Sequence, residues 1–189
     1  MTMKRDECLR LLARHVPDEI VVAVYSAAFD WVNIRPHVLN YFGVGAMGLA
    51  TSHALGLALG LPARKIIVLD GDGSLLMNLG SLVTVANAAP KNFVHFVCEN
   101  GTYEANGAHP IPGRGRVSFA DLARAAGYAK VYSVSELREV ELAIEEILAA
   151  DGPVFVNLKL VPGEKAVPDY DALYAASRRA AFRAAIAAA

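Results

Sequence analysis

Apolar residues recur at helical spacing near the start of the chain, at Cys8, Leu11 and Leu12, which predicts a helix over 4–15 closed by Pro17. The run from Ile20 to Tyr25 is apolar without interruption and lies in a buried strand predicted over 19–26. An aromatic loop containing Phe29 and Trp31 is expected next, then a short strand over 41–45 feeding a Gly- and Ala-rich helix over 47–59. The β-branched run 66–69 predicts another strand, broken by Gly71-Asp72-Gly73, with Ser74 placed to cap a helix over 75–88. That helix is apolar nearly all round and is expected to be buried. A strand over 93–98 completes a βαβ unit with parallel strands. Ser118 with Asp121 reads as a capping box for a helix reaching Ala126. A strand over 130–134, a helix opened by Ser135 and running to Ala150, and a strand over 154–161 follow. An Ala-rich helical tail is expected over 168–189. Strands and helices alternate throughout, so the pattern predicts an α/β fold, a three-layer α/β/α sandwich with a mostly parallel central sheet.

With 189 residues and no internal repeat or linker, the chain reads as one domain over 1–189. Its apolar fraction of 54% exceeds the usual ~45–50% of soluble chains, and a tight subunit interface is one outlet for the excess. The formal charge is −1, and the charges are scattered without a basic stripe, which argues against nucleic acid. No charged leader and no apolar run of membrane-spanning length is visible, so a soluble cytoplasmic protein without a membrane partner is expected. Cys8 and Cys98 form no metal or disulfide pattern, and Cys98 falls in a strand as a core residue. His15 and His37 lack partners at metal spacing, while His53 and His95 read as packed structural histidines.

In open parallel sheets, ligands sit at the carboxyl ends of the strands. Asp72 follows the 66–69 strand and Asn100 follows the 93–98 strand, so neighbouring strands would bring a carboxylate and an amide oxygen to one edge. Such oxygens suit magnesium, which keeps waters or phosphate oxygens in its octahedral shell. The glycines beside Asp72 permit close backbone approach, and Ser74 with the amino end of the following helix offers donors for phosphate. A metal-bound diphosphate is the ligand that these residues suggest by themselves.

Gly71-Asp72-Gly73-Ser74 followed by Glu99-Asn100-Gly101 resembles the paired motif of thiamine-diphosphate-dependent enzymes, with Asn100 standing 28 positions after Asp72. Upstream, Gly45-Ala46-Met47-Gly48-Leu49-Ala50 resembles the segment that cradles the aminopyrimidine in the decarboxylase branch. The resemblance spans roughly 21–161 and is nearest to the separate beta subunit of sulfopyruvate decarboxylases, with phosphonopyruvate decarboxylases alongside. It implies the thiamine-diphosphate-binding fold of the diphosphate-binding (PP) type. It further implies that Asp72, the Asn100 side chain and the Thr102 carbonyl hold Mg2+, and that Gly73 and Ser74 hold the diphosphate. Gly71, Tyr103 and Ala105 are counted among the cofactor contacts, Met47 as the apolar wedge under the bent cofactor, and the Gly45 carbonyl as acceptor for its amino group. The activity implied is decarboxylation of a 2-oxoacid.

The glutamate that activates the cofactor in this family lies on a separate pyrimidine-binding module. Asp6, Glu7, Asp18, Glu19 and Asp30 stand in a helix, a turn and a loop without that context. A pyrimidine-binding alpha subunit is therefore expected to supply it, in a hetero-oligomer. The loop after Asn100 departs from the family's pattern, reading Glu104-Ala105-Asn106-Gly107-Ala108-His109-Pro110. His109 and Glu104 are candidates for moving substrate protons, the plainer alternative being that both are solvated loop residues.

Two rival readings stay open. Leu69-Asp70-Gly71-Asp72-Gly73-Ser74 also resembles the first motif of haloacid-dehalogenase-type phosphatases, with Asp70 as nucleophile and Asp72 as acid/base. That reading needs a late acidic pair, and Pro162-Gly163-Glu164-Lys165 offers none. A non-catalytic, cofactor-binding regulatory subunit is the other.

Overall fold

The computed structural model describes residues 3–43, 47–163 and 169–187. One sheet runs through the molecule with its strands in the spatial order β2 (Asn40–Phe42), β1 (Ile20–Ala23), β3 (Ile66–Gly71), β4 (Phe93–Glu99), β8 (Val154–Lys159) and β7 (Lys130–Val134). Every pairing in it is parallel. The strands β1, β3, β4 and β8 are buried along nearly their whole length, as expected where helices cover both faces.

Alternate strand residues feed two cores. On one face Val21, Ile67, Val94 and Val156 meet α1 (Arg5–Ala13), α2 (Tyr25–Ile34) and α7 (Leu137–Ala149). On the other, Val22, Val68, Phe93 and Phe155 meet α3 (Ala50–Gly60), α5 (Ser81–Ala88) and α6 (Phe119–Ala126). This is the three-layer α/β/α sandwich that the alternation of elements predicts. Beyond β4 the chain forms a small antiparallel ribbon of β5 (Thr102–Tyr103) and β6 (His109–Pro110), joined by a 3-10 turn over Glu104–Asn106. The tail is helical, as α8 (Tyr170–Leu173) and α9 (Ala176–Ala187). It is docked: Phe182 is buried against the ring of Tyr41, and Arg178 stacks over Phe42. Among the described residues no helix is long and apolar enough to cross a membrane.

Several local expectations are corrected. The aromatic segment after β1 is the helix α2, because Ala27, Ala28 and Trp31 fall at helical spacing and bury one face. Trp31 is fully buried with its indole N–H donating to Asn40 Oδ1 at 3.0 Å, so it lines no pocket. The helix expected over 75–88 is two helices, α4 (Asp72–Met77) and α5. Asn78 leaves helical geometry between them and donates its side-chain amide to the Gly48 carbonyl at 2.9 Å. Ser74 therefore lies inside α4 and does not cap it. Nor is this stretch buried all round, since Met77 and Val83 are 53% and 60% exposed. The cap of α6 is as expected, with Ser118 Oγ accepting from the Asp121 amide at 3.2 Å. In α7 the capping pair is Glu136 with Glu139, one residue later than Ser135 would place it. Gly45 and Pro168 lie outside the described residues.

Candidate cofactor-binding site

The chain leaves β1 toward one face of the sheet and β3 toward the other, and a cleft of about 50 Å³ opens there at the carboxyl ends of β1, β3 and β4. Three walls form it: residues 24–27 after β1, residues 70–74 at the end of β3 and the start of the next helix, and Asn100 with residues 102–106 after β4. Met47 closes a further side. All the residues expected at the cofactor that the structure describes, namely Met47, Gly71, Asp72, Gly73, Ser74, Asn100, Thr102, Tyr103 and Ala105, line this one cleft.

Asp72 joins two of the walls. Its Oδ1 accepts from the Gly73 amide and its Oδ2 from the Gly101 amide, both at 2.7 Å. Only 2% exposed, the carboxyl is pushed up to about 6 by burial, with the amides of Gly101, Gly73 and Asn100 opposing that shift. Asn100 Oδ1 accepts from the Thr102 amide at 2.8 Å and from its hydroxyl at 3.2 Å, which turns the side chain of Asn100 back over its own loop. The glycine at 73 is required by contact: a Cβ there would collide with the ring of Tyr103. Gly101 has φ +72°, a conformation that permits the turn between β4 and β5.

Ser74 has a different task from the expected cap. Its Oγ accepts from the Gly48 amide at 3.0 Å, while Asn78 holds the Gly48 carbonyl. The residue beside Met47 is thus strapped to α4 from both sides. Gly48 is at φ +82°, and a Cβ added there would stand 3.2 Å from the Cβ atoms of both Met77 and Asn78.

The two candidates for proton transfer part company. Glu104 lines the cleft, but both its oxygens are engaged, one by Arg5 Nη1 and the other by the Gly163 amide at 2.6 Å. His109 is exposed on β6, opposite Tyr103 and outside the cleft lining. Cys98 borders the cleft from the core, and burial pushes its thiol far up, so no reactive thiolate is available there. Asp70, the nucleophile of the phosphatase reading, is 1% exposed, with Oδ1 on the Gly71 amide and Oδ2 3.4 Å from the fully buried His95 Nε2. A side chain held this way into the core is poorly placed for attack on a phosphate ester.

Sequence reasoning missed Arg5 and the Val24–Ala27 wall. Tyr25, which opens α2 at φ +45°, sits in that wall; the β-branched run before it hid the turn.

Residues 22–158 match the family model described as thiamine pyrophosphate enzyme, C-terminal TPP binding domain. The chain belongs to the thiamine pyrophosphate enzyme family. It is 34% identical over 173 residues to the sulfopyruvate decarboxylase subunit beta of Methanothermobacter thermautotrophicus, covering 90% of this chain and 89% of that one. It is 37% identical over 158 residues to the phosphonopyruvate decarboxylase of Streptomyces hygroscopicus, covering 83% of this chain and 39% of that one. The chain therefore spans about two-fifths of such phosphonopyruvate decarboxylases. The fold is shared with the benzoylformate decarboxylase of Polynucleobacter necessarius at a TM-score of 0.73, with 22% identity over 88% of this chain and 34% of that one.

The cleft fits the diphosphate cofactor that the family name implies. Asp72 and Asn100 bring hard side-chain oxygens to its lining and Thr102 stands beside them, the kind of donor set a magnesium diphosphate would take. Among the described residues no group of three or more His, Cys, Asp or Glu offers an all-protein metal cage. A shell completed by ligand oxygens suits this site better.

Proposed function

We propose that this chain is the diphosphate-binding beta subunit of a thiamine-diphosphate-dependent 2-oxoacid decarboxylase of the sulfopyruvate or phosphonopyruvate type, a carboxy-lyase completed by a pyrimidine-binding alpha subunit. The observation that carries the reading is the union of Asp72, Asn100 and Thr102 at adjoining strand ends, beside a Gly73 that must stay bare under Tyr103. The names of its relatives support it, one of them being called a subunit beta across nearly its whole length.

In this reading Asp72, the Asn100 side chain and the Thr102 carbonyl hold Mg2+. Gly71, Gly73, Ser74, Tyr103 and Ala105 surround the diphosphate. Met47, with the Gly45 carbonyl, orients the aminopyrimidine. Bound thiamine diphosphate supplies the electron sink that loss of carbon dioxide from a 2-oxoacid requires. The chain's own contribution is to fix the cofactor at its charged end and to keep that end out of water. The partner brings the activating glutamate and the rest of the pocket, in a cytoplasmic hetero-oligomer. His109, outside the cleft of the single chain, reaches substrate only if the partner closes over the β5–β6 ribbon.

Calorimetric titration with thiamine diphosphate, with and without Mg2+, tests the reading on the wild-type chain and on Asp72→Ala. The expected result is magnesium-dependent binding, weakened at least about a hundredfold by the substitution, as loss of a buried charged ligand warrants. Equal binding by wild type and variant would refute the role of Asp72.

A further inference from the structure

The wall after β1 and the wall after β4 stand on either side of β3, and no sheet hydrogen bond joins them directly. One side chain does connect them. Arg5, 7% exposed on α1, donates Nε to Asp30 Oδ2 of α2 at 2.6 Å and Nη1 to Glu104 Oε2 in the 3-10 turn. Asp30 fixes the helix whose first turn is the β1 wall. Glu104 fixes the turn that follows the Asn100–Tyr103 loop. The second oxygen of Glu104 accepts from the Gly163 amide, and the Met3 carbonyl accepts from the Val161 amide at 3.0 Å. The start of α1 and the exit of β8 are therefore held together around the same guanidinium.

We propose that Arg5 is a positioning residue for the cofactor loop, acting through Glu104 to hold the β4 wall against the β1 wall. The inference rests on the cofactor reading for its consequence, but not for its geometry. It also assigns Glu104 an anchoring task in place of proton transfer. The guanidinium suits this post because its planar fork reaches two carboxylates at once, which a lysine ammonium does with less directional control. Its low exposure keeps water from screening the pairs. Arg5 lies outside the 22–158 segment that the family model matches, so the clamp is supplied by a part of the chain that the model does not describe.

Arg5→Met leaves two carboxylates unpaired and risks unfolding, so Glu104→Gln is the primary variant, since Asp30 still pairs with Arg5 in it. Two readouts are taken. One is tryptic cleavage of the cofactor-free chain at Arg114 and Arg116, just beyond the ribbon, against cleavage at Arg10 and Arg183 in the helices as internal reference. The other is the affinity for thiamine diphosphate with Mg2+.

Glu104→Gln is expected to speed cleavage at Arg114 and Arg116 about tenfold relative to the reference sites, and to weaken cofactor binding by a similar factor, as loss of a buried charge-assisted bond implies. Adding Arg5→Lys to Glu104→Gln should add less than the single Arg5→Lys does alone, because both act through one contact. Wild-type cleavage and affinity in Glu104→Gln would overturn the clamp, as would fully multiplicative effects of the two substitutions. A wild-type chain that binds no thiamine diphosphate would count against the cofactor reading alone, since the cleavage ratio then decides the clamp by itself.

Discussion

The two helical layers of this molecule close over the sheet in different ways. The layer of α1, α2 and α7 covers the sheet with large side chains, among them Leu9, Trp31 and Ile144, all fully buried. In the other layer the contact is mixed: α5 and α6 bury Leu82, Val85 and Phe119, whereas α3 meets the sheet through small side chains. In α3 the buried residues are Ala50, Thr51, Ala54 and Ala58, while Leu59, Met77 and Val83 are more than half exposed on the outside of this layer. A groove of about 430 Å³ runs between α3 and α5. Asn78, in its lining, also straps the Gly48 loop at the cofactor cleft, so groove and cleft adjoin. The sealed layer is expected to be the more sensitive to loss of buried volume. The open layer keeps apolar surface outward next to the site, the face to be tested for contact with the proposed alpha subunit.

Substitutions should separate the two layers, the largest effect coming from the sealed one. Trp31→Ala is expected to cost about 3–5 kcal/mol in urea unfolding, because the cavity is enclosed and the Asn40 acceptor loses its indole donor. A loss below about 1 kcal/mol would mean that this layer collapses easily, and the contrast between the layers would go.

A smaller effect is expected at the cleft, where the layers meet. Asp72 has its carboxyl raised to about 6, and a metal binds the ionised form. Magnesium-dependent cofactor affinity should therefore hold above about pH 6 and fall by up to tenfold per unit below it, roughly 1.4 kcal/mol per unit. The cofactor-free fold responds in the opposite sense. A carboxyl whose folded pKa is raised favours the protonated native state, so its contribution to stability falls as pH rises from about 4 to about 6. Unfolding curves of wild type and Asp72→Asn across this window measure that component as their difference.

The smallest effect on folding is expected on the open layer. Val83→Asp should shift stability by no more than about 0.5 kcal/mol, since the side chain is 60% exposed. Co-purification with the alpha subunit should nevertheless be lost. Leu142, 73% exposed on α7 of the sealed layer, is the control, and Leu142→Asp should leave both stability and association unchanged. Equal loss of association in the two variants would erase the distinction between the layers.

Much of the site was legible because its signals are local. A glycine pair around Asp72, and an asparagine at the end of the next strand, needed only the rule that parallel neighbours align their ends. The helix α2 was not legible, because the apolar run of β1 leads without a break into Tyr25 and no capping side chain marks the change. Ser74 was misjudged as a cap for a related reason: its partner, Gly48, lies 26 positions away. Arg5 carried no signal at all, since a basic residue in an amphipathic first helix reads as solvated until Asp30 and Glu104 are seen to converge on it.

What the sequence by itself determined is the alternation of elements, the parallel sheet, and a carboxylate and an amide at two neighbouring strand ends, all set by periodicities and motifs within single segments. What only the tertiary structure decided is which distant residues share those positions. The clamp at Arg5, the strap at Ser74 and the difference between a sealed and an open helical layer all depend on contacts between segments far apart in the chain. Burial and pairing at such contacts follow from packing geometry, and no local pattern encodes them.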